Sequence, residues 1–201
     1  MFDRHLRAMA APLERAIARP LVRAGFTGDR LTALGLVVGL GACVAAGFAR
    51  WWLALALWLL NRAVDGVDGH VARARDGEHE RGGFLDVMAD FVVYGGFVVG
   101  VAVALPEARL ACAVLLATYY VNGSAFLALS SLAERRARER PDERSLHFVG
   151  GLAEGGETIL VHSLFCLFPQ RAAPIAWGFA VAVGITALQR IVWGMRVLRA
   201  G

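Results

Sequence analysis

Residues 65–90 read DGVDGHVARARDGEHERGGFLDVMAD, and they carry Asp65, Asp68, Asp86 and Asp90 between long apolar runs. On a helix, Asp65 and Asp68 are i, i+3 neighbours and Ala72 continues their face at i+7, while Asp86 and Asp90 are i, i+4 neighbours on the next helix. The polar run 74–81 between them reads as a short turn. Two antiparallel helices joined in this way point four carboxylates at one another. Four anions so placed repel, and a cation has to neutralise them. Magnesium or manganese fits, because hard divalent ions take carboxylate oxygens. No His or Cys stands at zinc spacing in this stretch.

Outward from that stretch the chain is apolar. It has 201 residues, 57% of them hydrophobic, and a mean hydropathy of +0.54, which predicts one integral membrane domain of the all-α class. Apolar spans are expected at about 31–49, 51–64 and just beyond, 83–105, 110–132, 146–168 and 172–193. The fifth is interrupted by Gly150, Gly151, Glu154 and Glu157. Upstream, Phe2, Leu6, Met9, Leu13, Ile17 and Leu21 recur at helical spacing, with Asp3, Arg4, Arg7, Arg15 and Arg19 mostly off that stripe. The pattern predicts an amphipathic helix on the membrane surface, with a break at Pro12; an ordinary surface helix packed on the domain would read the same way. The expected organisation is a juxtamembrane helix over 1–24 and a six-helix bundle over 31–199, within one domain over 1–201. Thr27, Gly28, Asp29 and Arg30 form the intervening turn, with Asp29 expected as the N-cap of the next helix.

Charge sets the orientation. The net charge is +4, and all 21 basic residues are arginine. They flank apolar spans, so they point to membrane topology rather than to nucleic acid. With both termini on one side, that side and its loops hold sixteen arginines and the opposite loops three, Arg50, Arg109 and Arg171. Termini and aspartates are therefore expected in the cytoplasm. Cys43, Cys112 and Cys166 each fall in an expected span, which argues against a disulfide framework. No cleavable signal and no internal repeat are visible, and the latter weakens a transporter built from repeated halves.

Written out, the motif is D-x2-D-G-x2-A-R-x8-G-x3-D-x3-D, filled by Asp65, Asp68, Gly69, Ala72, Arg73, Gly82, Asp86 and Asp90. Taken singly, each is an ordinary surface, packing or anchoring residue; the joint spacing is what points to a site. This resembles the signature of the CDP-alcohol phosphotransferase family, in a bacterial inner-membrane branch, and the resemblance extends over nearly the whole chain. Many members carry Pro-Asn or Pro-Asp before the first span, where Gly28-Asp29 stands here. The resemblance implies transfer of a substituted phosphate from a CDP-alcohol to an acceptor hydroxyl with release of CMP, in phospholipid synthesis. It implies two Mg2+ or Mn2+ ions held by Asp65, Asp68, Asp86 and Asp90, with Asp90 also taking the proton of the attacking hydroxyl. It assigns CDP-alcohol binding to Asp29, Thr32, Asp65, Gly69, Ala72, Arg73 and Gly82. It further implies a multi-pass homodimer with a lipid donor.

Other polar groups are expected in supporting places. Asn61 reads as an interhelical hydrogen-bonder and Arg62 as a counterion to the aspartates. Gly35 and Gly39, like Gly96 and Gly100, form small-x3-small pairs for close packing. Tyr119, Tyr120 and Asn122 read as polar contacts within the bundle. The stretch SLHFVGGLAEGGET, 145–158, reads either as an unwound segment with paired glutamates or as part of the acceptor pocket; its second half resembles one bacterial branch of the family. Candidate acceptor residues are Arg140, Arg144, Glu154, Glu157 and Arg190. Arginines suit a phosphorylated acceptor, and the positive-inside bias accounts for those of the loop equally well. Two other functions are weighed. A membrane prenyltransferase also uses aspartate-rich magnesium sites, but needs about nine spans where this chain has room for six. A cation carrier would place its carboxylates at mid-membrane.

Overall fold

The computed structural model describes residues 2–75, 80–139 and 155–199. Among them seven α-helices follow in order: α1 (Phe2–Arg23), α2 (Gly28–Gly47), α3 (Trp51–Arg75), α4 (Glu80–Ala104), α5 (Arg109–Glu139), α6 (Gly155–Leu167) and α7 (Ala172–Arg199). Short 3-10 turns at Pro106–Ala108 and Pro169–Arg171 start with proline, which supplies a preset φ and has no N–H to leave unpaired. Among the described residues, four stretches are long and apolar enough to cross a membrane: Gly28–Gly47, Arg81–Ala104, Pro106–Glu134 and Pro169–Arg196. The 20 residues of α2 alone extend about 30 Å, the thickness of a hydrocarbon core. The other two expected spans differ. Helix α3 is 25 residues long, but from its middle onward it carries Arg62, Asp65, Asp68, Arg73 and Arg75. Helix α6 has only 13 residues; the earlier part of its expected span lies outside the described residues.

Two local expectations are corrected. Helix α1 runs unbroken through Pro12 and Pro20. The N-cap of α2 is Thr27, not Asp29: Thr27 is extended (φ −108°, ψ 157°), and its side chain accepts from the Arg30 amide at 3.4 Å. An N-cap needs that extended backbone, whereas Asp29 already lies inside the first turn, where its charge suits the helix N-terminus.

Packing fixes how the helices meet. Helix α2 lies against both α3 and α4, and glycines let it come close. A Cβ on Gly28 would lie 2.7 Å from that of Ala72, and one on Gly39 would meet the Val93 side chain at 2.5 Å. A Cβ on Gly100 would run into the carbonyl oxygen of Cys43. The small-x3-small pairs thus serve helix packing within the chain. Asn61 makes the expected interhelical bond, its Nδ2 donating to the Gly35 carbonyl at 2.8 Å. Below it, Trp58, Phe97 and His162 pack ring against ring, with centroids 4.7 to 5.4 Å apart. Tyr119 joins them from α5, its Oη 3.3 Å from His162 Nε2. Tyr120, by contrast, is exposed. All three cysteines are buried and unbridged.

Candidate active site

The site forms where one end of α2, α3 and α4 converge. On α3, Asp65 and Asp68 sit one turn apart; on α4, Asp86 and Asp90 do the same, and the antiparallel arrangement brings the pairs together. Asp65, Asp68 and Asp86 each offer an oxygen, all within 4.8 Å of one another. Asp68 is buried and the other two are half-buried. Three carboxylates that close, partly shielded from water, repel one another strongly unless a cation lies between them. Oxygen-only donors at this spacing fit a hard divalent ion.

Helix α2 closes the other side. Thr32 Oγ1 is 2.7 Å from Asp68 Oδ2 and 3.2 Å from the Gly28 carbonyl. Asp29 reaches the start of α4, where its Oδ2 lies 3.7 Å from Arg81 Nε and its Oδ1 would be 3.6 Å from a Cβ on Gly82. Gly28 and Ala72 touch, so Ala72 is small because α2 packs on it as well as because the motif calls for a low face. The Arg73 guanidinium lies over Gly69, 3.3 Å from where a Cβ would stand, and is exposed. Every motif residue, with Asp29 and Thr32, thus lies at this convergence.

Asp90 has a partner of its own. Arg62 Nη1 donates to Asp90 Oδ1 at 2.9 Å and approaches Asp65 Oδ2 at 3.4 Å. The same nitrogen is 2.7 Å from Tyr94 Oη. The opposite edge of the guanidinium, Nε and Nη2, donates to Asn61 Oδ1 at 2.9 and 2.6 Å. The rings of Trp58 and Tyr94 lie 5.0 and 4.9 Å from its centre. Arg62 is therefore the expected counterion, more tightly held than the sequence indicated. Tyr94 is a residue that sequence reasoning missed; its place one turn after Asp90 is the signal that would have found it.

A second missed group ties α1 to the site. Glu14 Oε2 is 3.1 Å from His70 Nε2, and His70 Nδ1 is 3.2 Å from Arg73 Nη2. Gly66 admits the Glu14 carboxylate, which a Cβ there would meet at 2.5 Å. Of the candidate acceptor residues, Arg190 lies on α7, donates to Asn122 Oδ1 of α5 at 2.8 Å and stacks over Phe126 at 5.3 Å. Asn122 thus takes the polar role expected of it. Glu157 is half-buried in the first turn of α6. Arg140, Arg144 and Glu154 lie outside the described residues.

A cluster of aspartates on an all-helical chain with four helices long and apolar enough to cross a membrane among the described residues defines a class, and comparison with known proteins identifies it. The model of the CDP-alcohol phosphatidyltransferase family matches residues 27–188. The chain belongs to that family and is a transferase of substituted phosphate groups. It is 38% identical to the inner membrane protein YnjF of Escherichia coli, over 99% of this chain and 98% of the relative. It is 28% identical to a phosphatidylinositol phosphate synthase of Mycobacteroides abscessus, over 92% of this chain and 84% of that one. It is also 28% identical to the archaetidylinositol phosphate synthase of Pyrococcus horikoshii, over 94% of each. The fold matches the crystal structure of the Mycobacterium tuberculosis phosphatidylinositol phosphate synthase with CDP-DAG bound, with a TM-score of 0.71 and 22% identity over 90% of this chain and 92% of that one. It also matches that protein in complex with manganese and citrate, with a TM-score of 0.73 and 24% identity over 89% of this chain and 87% of that one. The family assignment displaces the prenyltransferase and carrier readings.

Proposed function

We propose that this chain moves a phosphatidyl group from CDP-diacylglycerol to the hydroxyl of a phosphorylated polyol, releasing CMP, at the cytoplasmic face of a bacterial inner membrane. The observation that carries the reading is the convergence of Asp65, Asp68 and Asp86 within 4.8 Å, with Asp90 one turn along α4. The names of the relatives, which include synthases of phosphatidylinositol phosphate and archaetidylinositol phosphate, support a phosphorylated acceptor.

In this reading, Asp65, Asp68 and Asp86 hold Mg2+ or Mn2+, which supplies neutralisation of the pyrophosphate and of the departing CMP. Two ions are expected, with Asp90 completing the set and also acting as base. Thr32 orients Asp68. The open face around Gly69 and Ala72 lets the nucleotide approach the α3 backbone, flanked by Asp29 and Gly82. Arg73 presents paired donors to phosphate. Asp90 takes the proton of the acceptor hydroxyl as its oxygen bonds to the β-phosphorus and the bond from that phosphorus to the bridging oxygen breaks. CMP leaves with the bridging oxygen. Arg140, Arg144, Glu154, Glu157 and Arg190 are assigned to the acceptor side.

The wider organisation follows the same reading. Helices α3 and α6 complete a bundle of six spans over 31–199, α1 lies on the cytoplasmic membrane surface over 1–24, and the protein works as a homodimer. The sixteen-to-three arginine asymmetry supports that orientation. The test is direct. Purified full-length protein, Mg2+ and CDP-diacylglycerol are incubated with a panel of acceptors, including inositol phosphate, glycerol 3-phosphate, inositol and serine. CMP release dependent on a phosphorylated polyol supports the proposal; release with serine alone, or with no acceptor in the panel, rejects the acceptor assignment.

A further inference from the structure

We infer that Glu14, on helix α1, acts through His70 to hold the Arg73 guanidinium in place for the phosphates of the donor. A helix outside the aspartate motif would then set how tightly the CDP-alcohol is bound. The inference rests on the function proposed above, in which Arg73 meets the donor phosphates. It goes beyond that function by giving Glu14 and His70 a part as positioning residues.

The contacts allow one arrangement of protons. Glu14 Oε2 is 3.1 Å from His70 Nε2, and His70 Nδ1 is 3.2 Å from Arg73 Nη2. Arginine only donates, so Nδ1 is the acceptor and bears no proton. An ionised carboxylate only accepts, so Nε2 carries the proton of the ring. Glu14 therefore selects the tautomer and fixes the tilt of the imidazole, and the lone pair on Nδ1 points at Arg73.

The packing builds this link deliberately into the α1–α3 contact. The Glu14 and His70 side chains are 25% and 21% exposed, and Gly66 leaves the room that the Glu14 carboxylate occupies. One turn further along α1, Ala18 is buried with Val67 and Val71 of α3, so the face of α1 that carries Glu14 is the face docked on α3. Arg73 is exposed, and its guanidinium lies across Gly69, with Nη1 3.3 Å from where a Cβ would stand. An exposed arginine samples many rotamers and loses that freedom on binding a ligand. Bonded to His70, Arg73 has lost part of it before the donor arrives, and pre-organisation of this kind raises affinity. The donors that His70 does not engage are then presented to phosphate.

The experiment uses full-length protein in detergent with Mn2+. CDP-diacylglycerol binding is measured by titration calorimetry without acceptor, and CMP release is measured with the acceptor panel. Glu14→Ala and His70→Ala are each expected to weaken donor binding about tenfold, with kcat within about threefold of wild type. Glu14→Gln keeps an acceptor oxygen for the Nε2 proton and recovers most of the affinity. In an Arg73→Ala background, Glu14→Ala weakens donor binding by less than about twofold further, because both changes act through one guanidinium. His70→Ala leaves the Ala18 contact with Val67 and Val71 in place, and the same cycle run with it guards against a folding failure of Glu14→Ala. A loss from Glu14→Ala or His70→Ala that adds in full to that of Arg73→Ala overturns the inference, since it assigns the effect to the docking of α1. Wild-type affinity in both alanine variants overturns it too, as does binding as weak in Glu14→Gln as in Glu14→Ala. Wild-type protein that binds CDP-diacylglycerol yet releases no CMP rejects the proposed function alone, and the binding titrations then decide the role of Glu14 and His70. Wild-type protein that binds no CDP-diacylglycerol overturns both.

Discussion

Thr32 on α2 and Asp68 on α3 meet at 2.7 Å, hydroxyl to carboxylate. Asp68 is the aspartate of the motif that the fold buries, at 6% exposure. A buried carboxylate needs donors or a cation, and Thr32 supplies a donor from outside the motif. Thr32→Val keeps the shape and removes the proton donor. A hydrogen bond to a charged group contributes about 1.5–3 kcal/mol, so kcat/KM for CMP release is expected to fall at least tenfold, with Thr32→Ser close to wild type. Equal activity in the valine and serine variants would show that the contact has no part in turnover.

Metal removal is the second expected outcome. The oxygen-only cluster of Asp65, Asp68 and Asp86 suits hard divalent ions. Exhaustive chelation should abolish CMP release, and Mg2+ or Mn2+ should restore it on back-titration. Turnover that survives chelation removes the metal from the mechanism.

Much of this site was legible in the sequence, for a physical reason. The i, i+3 and i, i+4 spacings of the aspartates fix their faces once the helices form, and an antiparallel pair then has to bring them together. The counterion role of Arg62 and the interhelical role of Asn61 were readable because a charge or amide in an apolar run demands a partner. What escaped was set by packing between distant segments. Nothing in the order of residues shows that Glu14 reaches His70, or that Ala72 is needed small because Gly28 lies on it. The N-cap at Thr27 escaped because Thr27 and Asp29 are both good caps and the backbone angles decide between them. Helix α3 was expected as a span, but it is not among the described helices apolar enough to cross a membrane, because its charged residues dilute its apolar run.

Arg190 gives a prediction for the acceptor side. It is bonded to Asn122 and stacked on Phe126, at the α5–α7 contact rather than on the aspartate helices. If it receives the acceptor's phosphate, Arg190→Gln raises the acceptor KM at least tenfold and leaves the CDP-diacylglycerol KM within about threefold. A matched rise in both constants would assign Arg190 to the general packing of α5 and α7.

Gly100 tests the helix packing that carries the site. A Cβ there would strike the Cys43 carbonyl and approach Ala46 at 3.2 Å, whereas a Cβ on Gly178 meets nothing within 4 Å. Backbone atoms cannot move aside as a side chain can. Gly100→Ala is therefore expected to cost about 1–3 kcal/mol, seen as a lower thermal midpoint in detergent, while Gly178→Ala leaves the midpoint unchanged. Equal midpoints would mean that α2 and α4 are not held this closely.

Asp90 and Asp68 carry the last prediction, because the two carboxylates sit in different surroundings. Asp68 is buried, bonded to Thr32 and grouped with Asp65 and Asp86. Asp90 is 29% exposed on its side chain and bonded to Arg62. Asparagine in place of Asp90 keeps a hydrogen-bond acceptor for Arg62, and Asp65 still balances the guanidinium at 3.4 Å. The fold should hold and metal binding should persist, while the acceptor hydroxyl has lost its base. Asp90→Asn is thus expected to lower kcat by about 100-fold or more, with the CDP-diacylglycerol KM within about threefold. Asp68→Asn removes a charge from the metal-binding group, so Mn2+ affinity falls at least tenfold and donor binding weakens with it. Mn2+ titration and donor KM, measured on both variants, read the difference. Loss of Mn2+ binding in Asp90→Asn equal to that in Asp68→Asn would make Asp90 as central a metal ligand as Asp68, and near-normal kcat in Asp90→Asn would rule it out as the base.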